Sequence, residues 1–232
     1  MISSAVVFIF TSISATAIAP TALNSYLNQP IDQRVKLFKA CQRECENFLL
    51  QVAFDPKAGL QPRWRALTTL GRMDGARYVV HMERALKSKE WYMRNAALIA
   101  LQTSTYEMAV KWSMQLLTDP ALVVRTQAAR NLVRLNATEA EPLLWREIFS
   151  KRNFHGRESL WVRAHMAEAL AHFATPGRGK QFQKLLLEPD TRLHKWAVMG
   201  LENSSGFKMT TNDEPVEIRR QKWLARMGVP GS

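Results

Sequence analysis

The chain has 232 residues, 47% of them hydrophobic and 22% charged, with ten glycines and ten prolines. That balance is globular rather than disordered or collagen-like, and it fits one elongated domain or one to two compact ones. Lysine and arginine outnumber aspartate and glutamate by 32 to 20, a formal charge of +12, so the partners it attracts would be polyanions: nucleic acid, anionic head groups, acidic glycans or an acidic protein.

No charged side chain precedes Asp32. Within that stretch the apolar run AVVFIF leads into TSISATAIAPTA, where Ala15 and Ala17, or Ala17 and Ala19, supply the A-x-A pattern of a signal-peptidase site. Cleavage after Ala17 fits better, because the later cut would leave Pro20 first. Residues 1–19 therefore read as a signal-peptide-like segment and 20–29 as a linker, and the mature chain is expected to be exported, to a periplasm or out of the cell. No lysine or arginine precedes the apolar run, so an uncleaved anchor is the competing reading. Its serines and threonines make it a poor membrane span, and none is expected in the mature chain.

Cys41 and Cys45, the only cysteines, lie four residues apart in KACQREC and share a helix face. Their Cα atoms would stand about 6 Å apart, inside the disulfide window but with nearly parallel side chains. Two small apolar residues on a buried stripe is the favoured reading, and a bridge formed in an oxidising compartment is the alternative. A metal site would need further ligands that the neighbourhood lacks.

Residues 30–54, PIDQRVKLFKACQRECENFLLQVAF, read as the first amphipathic helix, and from there a phrase recurs. Arg63, Arg94, Arg125, Arg163 and His194 follow one another at intervals of 31, 31, 38 and 31 residues. One residue before them stand Pro62, Met93, Val124, Val162 and Leu193; three after stand Ala66, Ala97, Ala128, Met166 and Ala197. Seven after stand Leu70, Leu101, Leu132, Leu170 and Leu201. Offsets of −1, +3, +4 and +7 trace one face of a helix, with alanine admitting a close neighbour and leucine filling the end of the groove. Between these helices lie second amphipathic helices, GARYVVHMERALKS, STYEMAVKWSMQLLT, TEAEPLLWREIFS and RGKQFQKLLLE; Ser104–Glu107 and Thr138–Glu141 have the spacing of capping boxes. EPVEIRRQKWLARM would close the row, and no run alternates long enough to make a strand. Each helix pair is apolar on two sides, so stacking is what buries it. The expected fold is all-α: an α-solenoid of about five helix pairs over residues 30–227 with a C-terminal capping helix, followed by a tail at 228–232.

The phrase Val124-Arg125, Ala128, Leu132, echoed by Val162-Arg163, Met166, Leu170, resembles the HEAT repeat and its shorter bacterial form named after phycobilisome lyases. The resemblance implies that these V-R helices line a concave surface. It also implies that Arg94, Arg125 and Arg163 form a structural ladder bonded to the loops between helices. If so, the open face carries the residues at offsets +2, +5 and +9: Arg65 and Arg72, then Arg130 and Arg134, then His165, Glu168 and His172, with Trp196 at the end. Arginines, imidazoles and an indole suit an anionic or aromatic partner. His165 and His172 are seven residues apart, about 10.5 Å of helix, too far to share one ion, so no metal is expected, and no cofactor.

The extra seven residues before Arg163 fall at KRNFHGRE, where Arg152, Phe154, His155 and Arg157 would crowd an exposed loop. Most of the seven tryptophans fall at apolar offsets and read as core. There is no Gly-rich phosphate loop, no nucleophile elbow and no paired C-x-x-C. The leading functional expectation is an exported binding scaffold whose basic concave face holds a protein, or failing that another anionic surface. The alternative is an enzyme: HEAT-like alkylpurine DNA glycosylases look similar in length, charge and tryptophan content, and the repeat family includes bilin lyases. Export argues against nucleic acid, and no aspartate is evident on an inner helix.

Overall fold

The computed structural model describes residues 18–208 and 214–229. The apolar run and the expected cleavage site up to Ala17 lie outside the described residues, as do positions 230–232.

Two helices, α1 (Pro20–Leu27) and α2 (Ile31–Ala40), precede five pairs. These are α3 (Gln42–Phe54) with α4 (Leu60–Asp74), α5 (Val79–Leu86) with α6 (Trp91–Ala100), α7 (Tyr106–Leu116) with α8 (Leu122–Leu135), α9 (Glu141–Ile148) with α10 (Val162–His172), and α11 (Gly179–Leu186) with α12 (Thr191–Ser205). Helix α13 (Val216–Arg226) packs on α12 and closes the row, so the chain is an all-α solenoid. No described helix is long and apolar enough to cross a membrane.

The V-R helices α4, α6, α8, α10 and α12 pack one on the next along the whole row, whereas α3, α5, α7, α9 and α11 lean mainly on their own V-R partners. A stack closer on one side than on the other bends toward the close side, which puts the V-R helices inside. Small residues permit that approach. Ala66, Ala97, Ala128 and Ala197 are sealed from solvent. At Gly71 an added Cβ would lie 2.3 Å from the Cβ of Ala100 and 2.4 Å from its Cα, inside neighbouring backbone. The aligned leucines Leu70, Leu101, Leu132, Leu170 and Leu201 all point into the core, each contributing about 2 kcal/mol of apolar burial.

The basic residue of each unit staples two loops. Arg94 reaches back to the carbonyls of Ser88 and Lys89 and forward to both carboxylate oxygens of Asp119, at 2.6 and 2.8 Å. Arg125 donates to the carbonyls of Asp119, Pro120 and Arg152 and to Asn153 Oδ1. Arg163, wholly buried, donates to Ile148 O, Ser159 Oγ and Glu188. The divergent members keep the role: Arg63 bonds Ala53 O, Glu90 and Tyr92, and His194 Nε2 lies 2.8 Å from Glu188 O. Arg34 on α2 adds an earlier rung, through Thr69 Oγ1 and Gln29 O.

Several expectations need correction. The supposed linker at 20–29 is largely helix α1, because Leu23 and Leu27 find a buried place against α2 and α4. The single helix expected over 30–54 breaks at Cys41. Ten residues of straight helix would separate Phe38 from Phe48 by about 15 Å, yet their rings stack at 6.1 Å, which requires the chain to fold back. Cys41 and Cys45 span that break as a disulfide, Cα atoms 5.6 Å apart, in place of the favoured pair of packed thiols. Neither capping box forms: Ser104 Oγ donates back to Leu101 O, and a 3-10 turn at Thr138–Ala140 precedes α9. Asp190 does cap α12, accepting from Arg192 N. The insertion contains a two-residue hairpin, Phe154–His155 against Glu158–Ser159. Trp91 and Trp161 are 45% and 51% exposed, not core.

Candidate functional site

The inner face is assembled from the V-R helices in sequence, so neighbouring units supply neighbouring charges. At its N-terminal end α2, α4 and the turn after α6 enclose an open cavity of about 690 Å³. Trp64 and Ile99 form apolar walls, Arg65 and Arg72 lie one above the other on α4, and Asp32 stands on α2. An aspartate therefore does face the inner row, on a helix whose separation from α3 was not expected. Arg65 is positioned by Asn28 Oδ1 at 2.6 Å, and the Trp64 indole by Asn95 Oδ1 at 3.2 Å. Burial, and then the Arg65 charge, lower the Arg34 guanidinium pKa below its ordinary value. Three guanidiniums against one carboxylate leave the cavity electropositive.

Toward the middle, Arg130 is exposed and Arg134 donates to Gln102 Oε1. Gln102 and Gln127 both donate to Asn131 Oδ1, at 2.8 and 2.9 Å, and Asn131 reaches Leu98 O, so neutral amides tie α6 to α8. Further on, His165 Nδ1 lies 3.4 Å from Glu168, and the His172 ring is tilted against Trp196 at 6.1 Å, with Lys195 Nζ 4.5 Å from that indole. The structure thus brings Arg65 and Arg72 into one cavity, and His172 and Trp196 into one contact. It does not gather the eight predicted residues into a single pocket. Among the described residues no group of three His, Cys, Asp or Glu stands close enough to hold a metal ion.

The four loop residues divide. Arg152 donates to Thr118 O at 2.8 Å, and Phe154 lies beneath the Arg163 guanidinium at 4.2 Å, so both are taken up by the fold rather than offered to a ligand. His155 and Arg157 remain exposed. The residue that seats the loop is Asn153, missed in the sequence: it is fully buried between Arg125 and the carbonyl of Glu147. Its signal would have been a lone amide 28 residues after Arg125, close to the 25 that separate Asp119 and Glu188 from their arginines.

No protein-family model matches the chain. No curated protein matches it either. Solved structures do. An engineered protein of the Northeast Structural Genomics Consortium aligns with 80% of this chain and 88% of its own at 19% identity and a TM-score of 0.54. A second engineered protein from the same consortium aligns with 79% of this chain and 53% of its own at 21% identity, also with a TM-score of 0.54. The complex of CpcE and CpcF of phycocyanin lyase from Nostoc sp. PCC7120 aligns with 96% of this chain at 16% identity and a TM-score of 0.45. At these identities the two engineered proteins establish a shared fold and nothing about ligand.

Proposed function

We propose that the protein is an exported HEAT-like scaffold that holds an anionic protein partner against its inner face. The observation that carries this reading is the state of four arginines. Among the described residues, Arg65, Arg72, Arg130 and Arg134 have no carboxylate within 4.0 Å, while the ladder arginines Arg63, Arg94 and Arg163 each do and Arg125 is buried on carbonyls and an amide. Arg65 and Arg134 engage only neutral amides, which orient a guanidinium without cancelling its charge. A row of uncancelled arginines, two of them oriented, suits carboxylates on a partner. Export is supported by the A-x-A stretch, and the Cys41–Cys45 bridge suits an oxidising compartment. The test is capture of partners from the periplasmic or secreted fraction by the wild-type chain and by R65E/R72E/R130E/R134E. Specific proteins retained by the first and lost by the second are expected. Equal recovery by both, or recovery of nucleic acid alone, would sink the reading.

A second reading is favoured by one feature, the meeting of Asp32, Trp64, Arg65 and Arg72 in one cavity. A carboxylate beside an indole and two guanidiniums could hold a base and its phosphates in a nucleic-acid enzyme of the alkylpurine-glycosylase type. Release of alkylated bases from DNA by the wild-type chain and not by D32N would establish it. A native N-terminus that begins near Ile18 would remove it.

A further inference from the structure

Five arginines are buried among the described residues, and four of them are either paired or fully bonded. Arg63, Arg94 and Arg163 each meet a carboxylate, and Arg125 has an acceptor on every guanidinium nitrogen. Arg34 on α2 has neither. It is 5% exposed; its Nε donates to Thr69 Oγ1 at 3.1 Å and its Nη1 to Gln29 O at 3.0 Å, while Nη2 meets no acceptor among the described residues. That nitrogen is not sealed in, as Nη2 of Arg163 is: the Arg34 side chain lines the cavity of about 690 Å³ between α2, α4 and the turn after α6. Burying a cation without a counter-charge is costly, and the neighbouring Arg65 charge adds to the cost. An anion brought into the cavity removes it.

The walls restrict what can carry that anion. Exposure rises from buried Arg34 through half-buried Arg65, which engages only Asn28 Oδ1, to exposed Arg72. Trp64 and Ile99 are half-buried apolar walls, and the indole is fixed by Asn95 Oδ1. A cavity of several hundred Å³ with apolar walls and a few polar groups has the size and lining of a small-molecule site. A guanidinium this buried is reached by the end of a molecule rather than by a link in a polymer. A phosphodiester carries chain on both sides, whereas a carboxylate or a phosphate monoester enters end-on. We infer that the cavity binds a small anion with a flat apolar body, its terminal carboxylate or phosphate received by Arg34 and Arg65 and its body lying against Trp64 and Ile99. The site is separate from the anionic-partner reading and stands if no protein partner is found.

Calorimetric titration of the full chain tests it, with naphthoate, naphthyl phosphate, naphthylmethylamine, inorganic phosphate and a single-stranded DNA oligonucleotide as probes. One naphthoate or naphthyl phosphate is expected to bind per chain, with affinity that falls as salt rises, and to raise the melting temperature. The tighter of the two identifies the head group. R65Q is expected to keep the wild-type melt and lose about tenfold in affinity, and R34M to lose at least as much. R157Q, on the insertion loop, removes the same charge from an exposed place and should bind as wild type does. No binding of either aromatic anion, equal binding of naphthylmethylamine, or equal losses in R157Q and R65Q would overturn the site. Inorganic phosphate binding as tightly as naphthyl phosphate would overturn the part given to Trp64 and Ile99. Oligonucleotide binding that R65Q weakens, without binding of either small anion, would overturn it in favour of the nucleic-acid reading.

Discussion

Arg163 and Arg130 are the same residue type on adjacent V-R helices, five positions apart in the repeat, and they have opposite fates. Arg163 has no solvent exposure and ends on a backbone carbonyl, a hydroxyl and a carboxylate from three separate places in the chain. Arg130 projects from α8 with no carboxylate near it among the described residues. The contrast teaches how one repeat separates architecture from recognition. A guanidinium at the ladder offset meets loop carbonyls from its own unit and a side chain from the next, and becomes a staple. At offset +5 the same group is exposed with no carboxylate near it among the described residues, and its charge stays on the surface.

Substitution can break the contrast. Arg163→Met is expected to cost about 3–5 kcal/mol, because it strands Glu188 and the carbonyl of Ile148, and urea unfolding measures it. Arg130→Met in the same assay should stay within about 0.5 kcal/mol. Equal losses would erase the distinction. Next comes Gly71→Ala, expected to cost about 1–3 kcal/mol in a thermal melt, because the new methyl would occupy the place of Ala100 and push α4 from α6.

Smaller effects sharpen it at the fifth unit, where His194 replaces arginine. Asp190→Ala removes the cap of α12 and is expected to cost about 1 kcal/mol, with Asp190→Asn close to neutral. Burial pushes the Asp190 carboxyl up, but hydrogen bonds from Arg192 and Ser159 outweigh it and hold the group below the ordinary aspartate value. Its contribution is thus complete above about pH 4 and is lost as the pH falls through the lower folded-state pKa. Wild type and D190A should therefore converge in stability at strongly acidic pH. The smallest expected change is in R65E/R72E/R130E/R134E, whose melting should barely move while partner binding disappears and the salt dependence of binding flattens.

Much of the architecture was legible in the chain. Leucines at one offset in five units mark the buried groove end, and all five are buried. The stripe of alternating alanine and leucine identified which helices approach each other. Other features were not legible, each for its own reason. The break at Cys41 depends on Phe38 meeting Phe48, a contact that no helical period announces, and it carries Asp32 into the inner row. Trp91 and Trp161 occupy apolar positions on a helical wheel. They lie in the first turn of α6 and just before α10, where neighbours cover only about half of each, so they stay partly open to solvent. Asn153 is a neutral residue in an insertion and gave no sign that Arg125 would need it.

The sequence by itself determined the number of stacked units, their register and the apolar side of each helix. Those follow from 3.6 residues per turn and the drive to bury leucine, both local to a single helix. Which arginines became staples and which stayed as surface charge was decided only by the tertiary structure. The acceptors that seal Arg94, Arg125 and Arg163 arrive from 25 to 28 residues further along the chain. A guanidinium's role is set by what surrounds it, and that is fixed only once the next unit has docked.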